Sequence, residues 1–127
     1  MSIPVDPQRL AEALGDFDGG YLLSTSGDGR VKVVAVEPRV DPDSGARLLV
    51  DRPGKGSAAN VAANRAVTLL FPPRAHHGYS LIADGSADGD ADRMAVTVSG
   101  AVLHRPSSHA DGPVPADGCG QDCQRLG

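Results

Sequence analysis

The sequence predicts a mainly β protein, an antiparallel β-barrel of six short strands with two short helices. Three observations predict this fold class. Short apolar runs alternate with segments rich in Gly, Pro and Asp, and most of these segments are brief. Connections this brief are typical of antiparallel strands. Six short strands joined in this way favour a barrel. The length of 127 residues suits one domain with one core.

Composition excludes several classes of function. A formal net charge of -4 gives no general attraction to nucleic acid. With two Tyr, two Phe and no Trp, a platform for stacking bases is not expected, and Val, Leu, Ile and Ala must build the core. No apolar run has the length of a membrane span, and no basic stretch followed by an apolar one opens the chain. We therefore expect a cytoplasmic protein without a membrane or nucleic-acid partner.

The first part of the chain predicts a helix and three strands. Asp6 or Pro7 opens the helix, and Gly15 ends it. Strands are predicted over 20–26, 30–40 and 46–50, with a Gly-Asp-Gly hairpin turn between the first two. In the second strand, alternation places one set of side chains on each face. One face carries Val31, Val33 and Ala35, and the other carries Lys32, Val34 and Val36.

The junction that follows the third strand is the candidate site. Arg52 and Lys55 occupy a turn with two glycines, and Ser57 is predicted to begin and cap a helix that runs to about Asn64. The start of a helix offers free backbone N–H groups and partial positive charge, and Gly56 allows a ligand to approach the backbone closely. Together these features predict a phosphate site. The alternative is a simple capped helix with solvated cations beside it.

The second part of the chain predicts three more strands and a tail. The strands span 66–71, 79–87 and 93–105, with a Pro-rich loop before the second and an Asp-rich turn at 88–92 before the third. From Pro106 the sequence is rich in Pro, Gly, Ser and Asp and has no periodicity. We therefore predict a barrel domain over 1–105 and an extended or partly disordered tail over 106–127.

Several other groups of residues are candidate sites. The adjacent pair His76-His77 lacks the Cys or carboxylate neighbours of a closed zinc site, and the Asp-rich stretch 84–92 lacks the closing Glu of a calcium loop. The tail leaves three alternatives open: a zinc site, a disulfide, or two free thiols. The residues concerned are His104, His109, Cys119 and Cys123. No metal site is predicted, and no catalytic residue can be named.

The order of elements and one helical segment resemble a known family. The segment Asn60-Val61-Ala62-Ala63-Asn64-Arg65, followed by a strand, resembles the helix of the pyridoxamine 5'-phosphate oxidase-like family of FMN-binding split β-barrels. In that family, the helix commonly reads Asn, an apolar residue, two variable residues, Asn or Asp, and Pro. Arg65 takes the place of the proline here. The resemblance covers roughly residues 6–105.

This resemblance implies a homodimer that binds FMN, or the deazaflavin F420, between its subunits and acts on a small-molecule substrate as an oxidoreductase. Carried onto this chain, the phosphate contacts come from Arg52, Lys55, Gly56 and Ser57. Strand residues near Lys32 and Val34 lie beside the flavin ring.

One departure from the family pattern supports an alternative function. Family members commonly carry Ser or Thr, one residue, and then a Lys three residues before the helix Asn. Here the order is reversed, because Lys55 lies five residues before Asn60 and Ser57 lies three before it. The alternative is a family member that has lost its cofactor and serves as a ligand-binding or interaction module.

Overall fold

The structure is a computed structural model, and it describes residues 2–106 as eight strands and two short helices. The predicted mainly β fold is confirmed. The strands are β1 (Ser2–Val5), β2 (Gly20–Thr25), β3 (Val31–Val36), β4 (Arg39–Asp41), β5 (Ser44–Asp51), β6 (Ala66–Phe71), β7 (Ser80–Gly89) and β8 (Arg93–His104). The helices are α1 (Leu10–Leu14), which a 3-10 turn precedes, and α2 (Lys55–Ala63). The tail residues His109, Cys119 and Cys123 lie outside the described residues.

The strands form one antiparallel sheet that curls without closing. Its order is β3-β2-β6-β7-β8-β5-β4, and β1 pairs with β8. The strands β3 and β4 stand at opposite ends of this order, although only Glu37 and Pro38 separate them along the chain. This short link brings the two ends of the sheet together, and the gap between them is the split of a split barrel.

Two strands differ from the sequence prediction. The predicted strand over 30–40 is interrupted and forms β3 and β4. Pro38 lies in the interruption, where its missing N–H prevents a ladder hydrogen bond. The strand β1 was not predicted, because four residues that include Pro4 carry too weak a pattern, and its pairing with Ala101–His104 is a tertiary contact.

The inward side of the sheet supplies a single core. Alternate residues of β2, β5, β6, β7 and β8 are buried there together with Leu10 of α1. The predicted helix start is confirmed, since the Gln8 N–H donates to the Asp6 carboxylate at 2.9 Å. The helix α2 packs against β2, β3 and β7. Within residues 2–106, neither helix is long and apolar enough to cross a membrane.

The two predicted hairpin turns have different outcomes. The turn before β3 is confirmed: the Ser26 N–H donates to the Arg30 carbonyl at 2.8 Å, and Gly29 adopts a φ of +88°. The Asp-rich turn is shorter than predicted, because β7 continues to Gly89. Backbone N–H groups of Arg93 and Asp92 donate to the Asp90 carboxylate, and these bonds lower the pKa of Asp90.

Candidate functional site

The helix α2 begins two residues earlier than the sequence predicted. Its first residue is Lys55, and Gly54 is the N-cap, with a φ of +97°. Only glycine adopts this backbone conformation at little cost, so the chain can turn into the helix at that point. The prediction that Ser57 begins and caps the helix is therefore wrong. No side chain caps α2.

The start of α2 keeps its donors free for an anion. The first intrahelical bond runs from the Ala58 N–H to the Gly54 carbonyl at 3.0 Å. The N–H groups of the three residues before Ala58 have no partner within the helix. These groups carry the positive end of the helix dipole, and an anion is the ligand that they favour.

Lys32 of β3 lies directly against this helix start. A Cβ atom added to Gly56 would stand 2.7 Å from Lys32 Cε and 3.1 Å from Lys32 Nζ. Lys32 thus occupies the space that any larger side chain at position 56 would need. The structure therefore brings together two of the predicted site residues, which lie 24 positions apart in the sequence.

Cations without an ion pair are concentrated at this junction. Six of the lysines and arginines within residues 2–106 pair with a carboxylate, and Arg105 lies over the ring of Tyr79. The four others in that range have no such partner, and they all come from two segments, 30–32 and 52–55. They are Arg30, Lys32, Arg52 and Lys55. Lys32, in the first segment, lies against Gly56, which directly follows the second segment.

Arg52 lines a cleft at the split of the barrel. Its backbone N–H donates to the Asp92 carbonyl at 2.7 Å, and its φ is +50°, a strained value for a residue with a side chain. The cleft has a volume of about 640 Å³, and its other lining residues include Tyr21 and Ala35 on the outward side of β2 and β3. Arg52 therefore lines an open cleft, together with the acidic residues Glu37 and Asp51.

Two of the predicted site residues, Ser57 and Val34, face the core. Ser57 and Val61 are the buried residues of α2, and Ser57 is fully buried. Among residues 2–106, the Ser57 hydroxyl has no hydrogen-bond partner. Val34 also packs against the core. On the neighbouring turn of α2, the Asn60 side-chain amide donates to the Ser24 hydroxyl at 3.1 Å and fixes the helix on β2.

The outward side of β2, β3, β6 and β7 forms what we call the apolar face. Paired residues continue one apolar row from strand to strand: Ala35, Tyr21, Leu70 and Ile82. Val31 and Val33, beside this row, are 62% and 56% exposed. Among the outward-facing residues of β2, β3 and β6, and of β7 as far as Ser86, Asp84 is the only charged one. Its carboxylate accepts a 2.5 Å hydrogen bond from the Thr68 hydroxyl. Sequence alternation separated the two faces of β3 but gave no sign of which one is outward.

The outward side of β4, β5 and β8 is different, and we call it the charged face. Asp51 accepts hydrogen bonds from Arg93 at 3.0 Å and from Arg39 at 3.4 Å. The hydrogen bond from Arg93 is the main cause that lowers the pKa of Asp51. Asp41, which is buried, accepts a 2.9 Å hydrogen bond from Arg47. The charges on this face satisfy one another.

The remaining histidines do not assemble a metal centre with their neighbours. The rings of His76 and His77 lie 3.8 Å apart in an exposed loop, and Ser2 Oγ lies 2.9 Å from His104 Nδ1. In the part of the chain that the structure describes, no group of three or more His, Cys, Asp or Glu is arranged to hold a metal ion.

Two curated relatives align with nearly the whole chain. They are the uncharacterized proteins Mb0449c of Mycobacterium bovis and MT0457 of Mycobacterium tuberculosis. Each is 42% identical over 132 aligned positions, which cover 94% of this chain and 92% of the relative. The chain belongs to the family of these mycobacterial proteins. No protein-family model matches the sequence.

Solved structures place this mycobacterial-type family among the split barrels. HupZ of Group A Streptococcus superposes with a TM-score of 0.56 at 11% identity, over 75% of this chain and 90% of that one. A candidate 5-nitroimidazole antibiotic resistance protein of Bacteroides thetaiotaomicron gives 0.56 at 15% identity, over 81% and 88%. An F420 reductase gives 0.50 at 18% identity, over 74% and 93%. At these identities the likeness concerns the fold alone, and the fold is that of a split barrel.

Proposed function

We propose that this chain is a cofactor-binding split-barrel protein that holds FMN, or alternatively F420, and acts as an oxidoreductase on a small molecule. The observation that carries the proposal is the uncapped start of α2, where Lys55 lies in the first turn and Lys32 lies against Gly56. Among residues 2–106, neither lysine is in an ion pair. A phosphate there would receive backbone N–H bonds and neutralise the lysines on both sides. F420 is included because an F420 reductase is among the similar structures.

The residues present fit a phosphate-bearing flavin. Lys32, Lys55 and the Gly56 backbone would hold the phosphate, and Arg52 would serve the cleft at the split. A bound flavin supplies the electron or hydride transfer itself, so the protein has only to bind, orient and shield it. This division of labour agrees with a chain in which no acid–base constellation could be named from the sequence.

A homodimer would complete such a site. The apolar face exposes Val31, Val33 and Tyr21, and Tyr21 also lines the cleft that Arg52 lines. Contiguous exposed apolar surface is typical of protein interfaces. A second copy seated on this face would shield the flavin ring from water, and the substrate would enter beside it.

The experiment is a visible absorption spectrum of the purified protein, followed by titration with FMN and with F420. We expect a flavin spectrum, or binding of one of the two cofactors at micromolar concentration. The double variant Arg52→Ala, Lys55→Ala should bind it more weakly. No spectrum, together with no binding of either cofactor, would contradict the proposal.

A non-catalytic ligand-binding or interaction module is the second candidate. The observation that favours it is Ser57, because the position at which the resembled family commonly carries its phosphate lysine holds a fully buried serine here. A crystal structure with the cleft filled by side chains of a second copy would support this candidate. A cleft that opens onto the unpaired cations would count against it.

A further inference from the structure

A small apolar groove lies between the segment that precedes β2 and the loop that follows β6. Its lining residues include Phe17 from that segment, Pro73 and Tyr79 from the loop, and Leu103 from β8. Its volume of about 270 Å³ lies below the range of roughly 300–1,000 Å³ that is typical of sites for cofactors and other small molecules. The groove therefore suits a few side chains of a peptide better than a cofactor.

The two walls of this groove are tied together within the fold. The Arg74 guanidinium donates to the Phe17 carbonyl at 3.4 Å, and it pairs with the Asp18 carboxylate at 3.3 Å. The Phe17 ring lies 6.3 Å from the ring of Phe71, which belongs to the core. Because the groove is formed in advance, a peptide that enters it has to order little of the protein.

The C-terminal end of β8 lies beside the groove. Leu103 is one of the lining residues, and the Arg105 guanidinium lies 4.6 Å from the centre of the Tyr79 ring, which is another. Pro106 follows directly, and the sequence continues from there to residue 127. The residues after Pro106 therefore start next to the groove.

The sequence after Pro106 contains one compact apolar segment, Pro113-Val114-Pro115. The ring of a proline fixes its φ, and a residue before a proline favours extended backbone, so such a segment prefers the polyproline II conformation. Grooves lined with aromatic rings bind segments of this kind, because little conformational entropy is lost on binding. The larger apolar residues further along stand singly among glycines and polar residues: Cys119, Cys123 and Leu126.

The connection is long enough to bring this segment back to the groove. Residues 106–112 span up to about 25 Å when they are extended. A short tether gives the segment an effective concentration on the order of millimolar at the groove, so a contact of millimolar intrinsic affinity would be occupied about half of the time. A separate protein at micromolar concentration would compete poorly with it. Weak apolar packing is therefore sufficient for a segment of the same chain.

We propose that the segment 113–115 of the same chain occupies this groove, with the Val114 side chain against the ring of Tyr79. The groove and the cleft at the split share a wall, because Pro72 lines the cleft and Pro73 lines the groove. The docked segment would support the loop that separates these two cavities. This docking site is separate from the proposed cofactor site and is filled whether or not a cofactor binds.

NMR spectroscopy of the full chain tests the docking directly. We expect nuclear Overhauser contacts between the Val114 methyl groups and the ring protons of Phe17 or Tyr79. Val114→Asp should abolish the docking and shift the amide resonances of Gly78 and Tyr79, because a carboxylate is costly in an apolar groove. Ala110→Asp is the matched control, since it adds the same charge to the same stretch of sequence and leaves the segment 113–115 intact.

A change on the groove side gives an independent test. Ala75 is an exposed residue that lines the groove, so Ala75→Gln should narrow the groove and leave the core unchanged. We expect this variant to lose the Overhauser contacts and to shift the Val114 amide resonance. Ala62→Gln is the matched control, because Ala62 is exposed on α2 and does not line the groove.

A mixture of isotope-labelled and unlabelled chains shows whether the contacts form within one chain. Overhauser contacts within a chain, lost in both Val114→Asp and Ala75→Gln, would support the proposal. Contacts that arise only between chains would overturn it, because the occupant would then belong to a second copy. The absence of contacts from Val114, together with unchanged groove amides in Val114→Asp, would also overturn it.

Discussion

The apolar face and the charged face are two parts of the outward side of one sheet, and they differ in how their side chains are paired. On the charged face, each carboxylate named above has its arginine: Asp51 bonds Arg93 and Arg39, and Asp41 bonds Arg47. On the apolar face, Val31 and Val33 are more than half exposed.

This difference shows which part of the sheet pairs its own side chains and which part leaves apolar side chains exposed. The charged face satisfies its side chains by itself and suits contact with water. The apolar face is exposed, Lys32 and Lys55 at the start of α2 are in no ion pair among residues 2–106, and both features adjoin β3. A second copy of the chain and a phosphate-bearing ligand would supply the two missing complements at one place.

The largest expected effect is on association. We expect the wild type to be a dimer and Val33→Asp to be a monomer. Burying an unpaired carboxylate in each half of the interface would weaken the dimer by more than about a hundredfold. Sedimentation velocity measures the change. Thr97→Asp is the matched control, because Thr97 lies on the charged face, where it pairs with Arg47 of β5. A wild type that is monomeric, or dissociation by Thr97→Asp alone, would show that the apolar face is not the interface.

A smaller effect, on the stability of the fold, is expected when the buried carboxylate of the charged face is replaced. Asp41 accepts hydrogen bonds from Arg47 Nε and from the backbone N–H of Asp43, both at 2.9 Å. Asp41→Asn removes the charge and should lower the free energy of unfolding by about 1 kcal/mol, a moderate value because Arg47 is half exposed. Urea unfolding measures the loss. Asp43→Asn is the control, and an equal loss there would show that the ion pair is not responsible.

The smallest effect concerns pH. The hydrogen bond from Arg93 and the charge of Arg39 hold the pKa of Asp51 below its usual value. A carboxyl group with a lowered pKa in the folded state stabilises the protein above its unfolded pKa of about 3.9, and this contribution is lost as the pH falls further. The difference in stability between wild type and Asp51→Asn should therefore shrink below about pH 4. A difference that is constant from pH 6 to pH 3 would contradict the assignment.

Much of the fold could be predicted from the sequence, because local patterns fix it. The Gly-Asp-Gly turn, the alternation in β3 and the apolar strand over 66–71 all depend on neighbours along the chain. The errors arose where local patterns compete. Ser57 is a good N-cap residue, yet Gly54 begins the helix, because its positive φ turns the chain first. Pro38 broke a strand that its neighbours would have continued.

The candidate site could be predicted only in part. Arg52, Lys55 and Gly56 are local to the junction and could be named together. The proximity of Lys32 to Gly56 is a tertiary contact, and no spacing in the sequence reports it. The unpaired state of Arg30 could not be predicted either, since it depends on where every carboxylate lies. Its position two residues before Lys32 was the only available signal.

A crystal structure of the protein with FMN tests the central claim most directly, namely that the unpaired cations and the apolar face form one site. We predict a phosphate at the start of α2 in contact with Lys32, and the ring in the cleft lined by Tyr21 and Arg52, covered by a second copy on the apolar face. A phosphate bound away from Lys32, or a flavin bound on a monomer with the apolar face open to solvent, would contradict it.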